Sequence, residues 1–148
     1  MEILKSKRKG FTLIELLVIA ALLSVFLSIA VPRLSIIATI REKQEIKYLY
    51  KDILYARNIA VTEKDPVTME FNLSKNSYKI RDSEGKVFKD VKLENGVVIT
   101  GCLYDTIQFA TTGRTSVSET ITFKTRSGEY YQITIPVAAA KIELKKVI

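Results

Sequence analysis

The chain has 148 residues, 47% of them hydrophobic, and a formal net charge of +7. This length suits one domain and is too short for two substantial ones. The absence of histidine and the single cysteine, Cys102, exclude an internal disulfide and leave few residues for zinc sites or for nucleophiles activated by an imidazole base. We interpret Cys102 as a small buried hydrophobe rather than a reactive thiol.

The positive charge is distributed unevenly along the chain. Four of the 23 cationic residues, Lys5, Lys7, Arg8 and Lys9, lie within the first ten positions. From residue 33 onward there are 19 basic and 14 acidic residues, a net charge of +5 without any run of like charge. This later part is only mildly basic, so its charge does not by itself indicate a nucleic-acid partner.

The basic cluster is followed directly by an apolar segment, residues 11–32. Between Glu15 and Arg33 this segment contains no charged residue. A helix of about 21 residues rises about 31 Å, which matches the hydrocarbon core of a bilayer. The cluster before it favours a cytoplasmic N-terminus and an extracytoplasmic chain beyond the span. The segment thus predicts a single-pass protein of the cytoplasmic membrane.

The apolar segment has three possible interpretations: a permanent anchor, a secretory signal peptide and a processed N-terminus. The first two conflict with the presence of Glu15. A permanent anchor gains nothing from a carboxylate, which costs about 2.5 to 3.5 kcal/mol at mid-span and less near the interface. A secretory signal peptide cut after Ser28-Ile29-Ala30 also accommodates Glu15 poorly, and its apolar region is usually shorter than this one. The third interpretation is a processed N-terminus that keeps the apolar helix.

That third interpretation is based on a resemblance. The residues Lys9-Gly10-Phe11-Thr12-Leu13-Ile14-Glu15 resemble the class III signal of type IV prepilins and type II secretion pseudopilins. The resemblance implies cleavage between Gly10 and Phe11 by a prepilin peptidase, N-methylation of Phe11 by the same enzyme, and a helix-bending role for Pro32. It also implies that Glu15 neutralises the N-terminal amine of a neighbouring subunit during assembly.

The chemistry of these residues agrees with such processing. Gly10 leaves the scissile bond uncrowded, where a β-branched residue would obstruct a peptidase. Cleavage would create an amine on Phe11, and Glu15 lies one helical turn away at an i, i+4 spacing. A buried carboxylate without a partner is unfavourable, so we expect Glu15 to be satisfied only on assembly.

The helix is expected to continue beyond the apolar segment through residues 33–64. Pro32 should bend it rather than end it, and Asp65-Pro66 should stop it after about Thr62. Apolar residues recur at near-helical spacing with charged residues between them, which predicts an amphipathic helix packed on a domain. The apolar positions are Ile36, Ile40, Leu49, Ile53, Ala56 and Ala60. A long helix of this kind, half apolar and half amphipathic, resembles that of pilins.

Residues 65–148 read as short strands separated by turns, so the predicted fold class is α+β with an antiparallel sheet domain. The predicted strands are Val67–Leu73, Tyr78–Arg81, Val87–Leu93, Val97–Thr100, Thr106–Ala110, Thr120–Arg126, Tyr130–Ile135 and Lys141–Val147. In the sixth, Ile121 and Phe123 alternate with Thr122 and Lys124, which predicts a sheet that is half solvated. Residues 1–10 form the predicted leader, 11–32 the membrane and assembly half of the helix, and 33–64 its amphipathic half.

A second, weaker resemblance covers roughly residues 40–148. The segment Ile107-Gln108-Phe109-Ala110-Thr111-Thr112-Gly113-Arg114 and the strands after it are similar to the domain of GspH/FimT-type minor pilins. That family usually has a further glycine-arginine pair before its last strand, where this chain has Val137-Ala138-Ala139-Ala140-Lys141. The resemblance implies a minor subunit, and since some members bind DNA during natural transformation, it raises DNA uptake as an alternative.

The residues available for DNA contact are Arg114, Lys141, Lys145 and Lys146. They are predicted to form a phosphate-binding surface, or else to be solubilising residues on exposed strand faces, which is the favoured interpretation. Tyr130 and Tyr131 are adjacent on a strand and point to opposite faces, so at most one of them can stack on bases.

The sequence therefore predicts a non-enzymatic filament subunit. It predicts no catalytic residues, cofactor or metal site, since no catalytic constellation or phosphate-binding glycine loop is present. The expected partners are the prepilin peptidase and methyltransferase, other pilins or pseudopilins, an inner-membrane assembly platform, and membrane lipid before assembly. The expected product is an extracellular or periplasmic filament. Pilus, secretion pseudopilus and competence systems all remain open, as does a surface domain that never assembles.

Overall fold

A computed structural model describes residues 11–138 and 141–147, and for residues 29–35 it describes the backbone alone. The predicted leader, including Gly10, lies outside the described residues. The chain divides into two compact units, one ending at Ile37 and one beginning at Ala38.

One helix, α1 (Leu13–Glu63), begins near the N-terminus. It continues through Pro32 instead of ending there. Its last residue is within one position of the predicted end. The next residue, Lys64, has a left-handed backbone with a φ of 57°, and Pro66 follows. Both features prevent the helix from continuing.

Eight strands follow, as predicted. They are β1 (Val67–Asn72), β2 (Ser77–Arg81), β3 (Val87–Lys92), β4 (Val98–Gly101), β5 (Thr106–Phe109), β6 (Glu119–Lys124), β7 (Tyr130–Ile135) and β8 (Glu143–Lys146). Strand β6 ends before the predicted Arg126 because the Thr125 amide bonds the Glu129 carbonyl in the turn to β7, at 2.9 Å.

The strands form two antiparallel four-stranded sheets. The first has the order β3-β2-β1-β5, and the second has the order β4-β6-β7-β8. The α+β class with antiparallel sheets is therefore confirmed. The alternation predicted for β6 is also confirmed, since Ile121 and Phe123 are fully buried whereas Thr122 is half-buried and Lys124 is exposed.

The core of the second unit lies between α1 and the inner faces of both sheets. Its fully buried apolar residues include Leu49, Ile53, Ala56, Ala60, Met69, Ile80, Ile107, Ile121, Phe123 and Ile133. The four helical members were all predicted as the apolar stripe. The prediction was wrong for Ile36 and Ile40, which are 59% and 49% exposed.

Asn76 joins the two sheets through its side chain. Its Nδ2 donates to the carbonyls of Leu93 and Val97, at 3.0 and 2.7 Å, and its Oδ1 accepts from the amide of Ile99 at 2.9 Å. Ile99 belongs to β4 in the second sheet, whereas Asn76 lies in the β1–β2 turn of the first. Asparagine suits this position because it tolerates the left-handed backbone found here, with a φ of 51°.

Candidate functional site

The first turn of α1 is closed by two side chains, Thr12 and Glu15. The Glu15 amide donates to Thr12 Oγ1 at 3.3 Å, and Glu15 Oε2 accepts from the Thr12 amide at 3.1 Å. The two side chains also bond each other at 3.2 Å. This reciprocal pattern is a capping box, in which two backbone donors at a helix start find acceptors. The Thr-x-x-Glu spacing is its signal in the sequence, although the cap was not among the predicted features.

The capping box changes the expectation for Glu15. Its carboxylate has hydrogen-bond donors within its own subunit, so it is not satisfied on assembly alone. The box also holds the carboxylate beside the amide of Thr12, the residue that follows Phe11. Phe11 precedes the helix and is 78% exposed. Pairing of Glu15 with the amine of a neighbouring subunit stays a prediction.

The described side chains that follow form an exposed apolar surface on α1. Its large members are Leu13, Ile14, Leu16, Leu17, Val18, Ile19, Leu22, Leu23, Val25, Phe26 and Leu27, each at least 42% exposed. The hydroxyls of Ser24 and Ser28 donate to the helix carbonyls of Ala21 and Ser24, at 2.7 and 2.8 Å. These bonds satisfy the two hydroxyls inside the helix.

Within the described residues, no helix is both long and apolar enough to cross a membrane.

In the second unit, α1 buries three of its four carboxylates, and only Glu63 at its end is exposed. Glu45 is 8% exposed and accepts from the amides of Glu94 and Asn95, at 2.8 and 3.2 Å. Asp52 is also 8% exposed, accepts from the Tyr78 hydroxyl at 2.8 Å and pairs with the ammonium of Lys89. Each carboxylate therefore fixes α1 against a different part of the strand domain. The amphipathic pattern predicted that the charged residues between the apolar positions lie on the polar face of the helix, and for Asp52, as for Glu42, that prediction was wrong.

Glu42 is buried more deeply, at 3% exposure. Among the described residues its Oε2 is a buried side-chain oxygen without a hydrogen-bond partner. The carboxylate lies under Gly96, because a Cβ added there would lie 3.1 Å from Glu42 Oε1 and 3.4 Å from Arg126 Cβ. Gly96 also has a φ of +98°. Both the lack of room for a Cβ and the backbone conformation therefore favour glycine at this position.

The residues predicted to bind DNA are placed in different settings. Lys145 pairs with Glu143 at 2.7 Å, and Lys146 pairs with Glu129 at 2.6 Å. Arg114 and Lys141 are exposed and form no ion pair within the described part of the chain. Two of the four residues predicted to contact DNA, Lys145 and Lys146, are therefore already paired with carboxylates of the same subunit.

The geometry of β7 separates the predicted residues further. Arg114 precedes Thr115, whose hydroxyl donates to the Pro136 carbonyl just after β7 ends, at 3.0 Å. Lys146 lies opposite Tyr131, near the start of β7. Arg114 and Lys146 are therefore near opposite ends of that strand.

The two tyrosines on β7 differ in exposure as their adjacent positions predict, whereas Cys102 is half-buried against the core and not fully buried as predicted. Tyr130 is exposed under the Lys124 ammonium, whereas Tyr131 is half-buried and donates to Glu129 at 2.9 Å. Hydrogen bonds from Lys146 and Tyr131 lower the pKa of Glu129.

Burial and the hydrogen bond to Asp105 raise the pKa of Cys102 to about 11, so its thiol stays protonated and weakly nucleophilic at neutral pH.

Two comparisons with known proteins bear on these features. Residues 5–31 match the family model described as the prokaryotic N-terminal methylation motif. The chain carries the methylation motif of prokaryotic prepilins. The motif spans Gly10, Phe11, Thr12 and Glu15, and so includes the capping box that starts α1.

The fold has a counterpart among solved structures. It is similar to the minor pseudopilin EpsH from the Type 2 Secretion System of Vibrio cholerae, with a TM-score of 0.59 and 10% sequence identity. The similarity covers 72% of this chain and 97% of that one. No curated protein sequence matches the chain. At this identity the likeness shows a shared fold, in agreement with the pilin-like architecture predicted from the sequence.

Proposed function

We propose that this protein is a minor pilin or pseudopilin, a non-enzymatic subunit of a type IV pilus or type II secretion-like filament. The observation that carries the proposal is the coincidence of the methylation motif with the capping box. The motif contains the expected cleavage position, and α1 begins with its Thr12 cap one residue after Phe11. A cut between Gly10 and Phe11 would leave a complete, capped helix with a new amine directly before it.

Support for an assembly role comes from the side chains of α1 that follow. The apolar side chains from Leu13 to Leu27 are exposed and surround the helix rather than forming one stripe. A helix that is apolar all round requires an apolar environment. We propose that residues 11–32 lie in the cytoplasmic membrane before assembly, with the second unit outside, and then pack against equivalent helices in the filament.

The partners follow from this proposal. A prepilin peptidase and methyltransferase would process the N-terminus, an inner-membrane platform would extract the subunit, and other pilins or pseudopilins would surround it. The choice between a pilus and a secretion pseudopilus depends on those partners.

The experiment that tests the proposal is intact-mass analysis with N-terminal sequencing. The protein would be isolated from membranes of a host that contains a prepilin peptidase. We expect a product that begins at Phe11 and is one methyl group heavier than its sequence, and we expect Gly10→Val to block cleavage. A product beginning at Met1 would indicate a permanent anchor, and one beginning at Val31 would indicate a secreted domain.

DNA uptake is the alternative function, with Arg114 and Lys141 as its best candidates. Both are exposed, and neither has an ion-pair partner within the described residues. The test is DNA binding by the full chain in detergent across a salt series. If these residues contact phosphates, Arg114→Ala and Lys141→Ala will each reduce the steepness of the salt dependence, by roughly one ion per contact. No binding at low salt would leave the structural role alone.

A further inference from the structure

The edge strands of the two sheets differ in how their free backbone groups are covered. The first sheet ends in β3 and β5, and the second ends in β4 and β8. The loop after β5 covers that strand, because the Ser116 amide donates to the Gln108 carbonyl at 3.4 Å. Asn76 accepts from the amide of Ile99 on β4, and the Tyr50 hydroxyl bonds the chain just before β8. Within the described residues, no such contact is made to the free edge of β3.

The backbone of β3 leaves donors and acceptors on this free edge. The Leu93 amide donates to the Asn76 carbonyl at 2.9 Å, and the ladder to β2 continues in that register through Val91. Because antiparallel strands alternate their bonds, the backbone groups of Asp90 and Lys92 point away from β2. The chemistry that satisfies such a row of amides and carbonyls is another extended backbone.

A groove of about 260 Å³ lies between this edge and α1. Its lining includes Val91 and Leu93 from the strand side and Arg41, Gln44 and Tyr48 from the helix. We call this groove, together with the free edge of β3, the β3 groove. A strand added to β3 would direct every second side chain into the groove, against the exposed ring of Tyr48.

The unpaired charges at the β3 groove are positive. Arg41 and Lys51 are exposed on α1, and neither forms an ion pair within the described part of the chain. The Lys51 ammonium lies 5.8 Å from the centre of the Tyr48 ring, which places this charge at the rim of the groove.

The carboxylates around the groove already have partners within the subunit. Glu45 is buried and accepts from two backbone amides of the loop after β3. Asp90 pairs with Lys79 at 3.0 Å, and Glu94 pairs with Lys92 at 3.5 Å. An acidic segment in the groove would therefore meet cations without counter-charges, so the charge distribution favours an acidic occupant.

We propose that the β3 groove binds an extended acidic segment of a different subunit of the filament, which pairs with β3 and extends the first sheet to five strands. The proposal rests on the proposed function, since it names the kind of neighbour that a minor subunit contacts. Bonds to the backbone of Asp90 and Lys92 supply the affinity, and the groove selects the sequence through its alternate side-chain positions and its unpaired cations.

The first test is photo-cross-linking from the groove in the host. The photoreactive amino acid benzoylphenylalanine replaces Tyr48 in the full chain, and irradiation joins it to the molecule that lies there. We expect mass spectrometry to find an adduct with an acidic segment of another chain that carries its own methylation motif. Adducts only with a second copy of this chain, only with lipid, or with no partner would overturn the proposal.

The second test blocks the free edge with proline. Asp90→Pro removes an amide that points away from β2 and adds a ring there, so it obstructs an added strand without breaking the β2–β3 ladder. We expect the adduct to fall about tenfold, the effect of losing a main-chain bond and its close approach.

Two control variants isolate the edge. Asp90→Ala loses the pair with Lys79 but keeps the amide, and Thr106→Pro places the same ring on an amide of β5 that points away from β1. Both should leave the adduct unchanged. An adduct that is as abundant in Asp90→Pro as in these controls would contradict strand pairing.

The third test removes one groove cation. Arg41→Gln changes an exposed side chain and should reduce the adduct roughly threefold, whereas Lys75→Gln on the exposed β1–β2 turn should not. This variant also tests the docking if thermal unfolding shows that Asp90→Pro does not fold. Equal adducts in Arg41→Gln and Lys75→Gln would contradict an acidic occupant.

Processing and incorporation distinguish failure of the docking from failure of the proposed function. If the protein is cut at Phe11 and enters filaments but gives no adduct from position 48, the docking proposal fails and the proposed function stands. A protein that is neither cut nor incorporated contradicts the proposed function, and the docking proposal is then wrong as well.

Discussion

The hydroxyl of Tyr78 on β2 donates a 2.8 Å hydrogen bond to Asp52 on α1, across the interior of the second unit. Tyr78 is 1% exposed, and the same carboxylate also pairs with Lys89 on β3. Burial and the adjacent Asp52 both raise the pKa of Tyr78, so its hydroxyl remains a donor at every pH that the fold is expected to survive. One carboxylate thus ties the helix to two neighbouring strands of the first sheet.

The first prediction concerns this bond. Tyr78→Phe removes a hydroxyl that donates to a buried charged acceptor, which should lower the free energy of unfolding by about 2 kcal/mol. Tyr48→Phe is the matched control, because Tyr48 is exposed, and it should change the value by less than about 0.5 kcal/mol. Denaturant unfolding of the full chain in detergent measures both. Equal effects of the two substitutions would show that the Tyr78–Asp52 bond contributes nothing.

The second prediction concerns Asn76 between the sheets. Asn76→Asp keeps the acceptor for the Ile99 amide but replaces two donated bonds with a carboxylate facing the carbonyls of Leu93 and Val97. The expected loss is about 2 to 3 kcal/mol of unfolding free energy. The control is Asn58→Asp on the exposed surface of α1, with an expected change within about 0.5 kcal/mol. A similar result for both variants would mean that Asn76 does not hold the sheets together.

The third prediction concerns the end of α1. Lys64 has a φ of 57°, in a region that costs a residue with a Cβ about 1 to 2 kcal/mol. Lys64→Gly relieves that cost but makes the unfolded chain more flexible, so the net gain should be about 0.5 to 1 kcal/mol. Lys64→Val, which keeps a Cβ and adds a branch, should be destabilising. If the thermal unfolding midpoint of Lys64→Val is higher than that of Lys64→Gly, the left-handed backbone conformation at residue 64 is contradicted.

The fourth prediction is a dependence on pH. Bonds from Lys146 and Tyr131 lower the pKa of Glu129, so the folded state binds this proton less tightly than the unfolded chain does. The stabilisation is therefore present above the unfolded pKa of a glutamate, about 4.3, and is lost as the pH falls through the lower folded value. Lys146→Met should weaken this acid-dependent loss, whereas Lys75→Met should leave it unchanged. Identical stability-versus-pH curves for Lys146→Met and the parent would refute the linkage.

Local patterns in the sequence were sufficient to predict α1 and the eight strands. Alternation of Ile121 and Phe123 with polar residues marks one face of a strand, and the Asp65-Pro66 pair marks the end of the helix. These signals depend on near neighbours and on backbone geometry. The Thr12–Glu15 box is equally local, so it too was within reach of the sequence.

The inward carboxylates of α1 were beyond the reach of such patterns. The donors to Glu45 lie 49 and 50 residues further along the chain, and the donors to Asp52 lie 26 and 37 residues away. A charged residue in an amphipathic helix is ordinarily exposed, and only the tertiary partners reverse that expectation.

The fifth prediction separates two roles of Glu15. Its carboxylate caps the helix through the Thr12 amide, and processing at Phe11 would place a new amine one residue earlier. Glutamine can replace glutamate in a capping box, so Glu15→Gln removes the charge and keeps the cap. Thr12→Val does the reverse, since it removes the hydroxyl that accepts from the Glu15 amide and leaves the charge in place.

If charge pairing with the amine drives assembly, Glu15→Gln and Glu15→Ala should both reduce incorporation into filaments strongly, and Thr12→Val should have the smaller effect. If the cap is what matters, Thr12→Val and Glu15→Ala should be impaired together while Glu15→Gln behaves as the parent. Loss of the cap costs about 1 kcal/mol at the helix start, which should appear as faster amide hydrogen exchange over residues 13–16 in Thr12→Val and not in Thr12→Ser. Unchanged incorporation of Glu15→Ala would exclude both roles of Glu15, because that variant lacks the charge and the half of the capping box that the Glu15 carboxylate supplies, while the Thr12 hydroxyl still accepts from the backbone amide of residue 15.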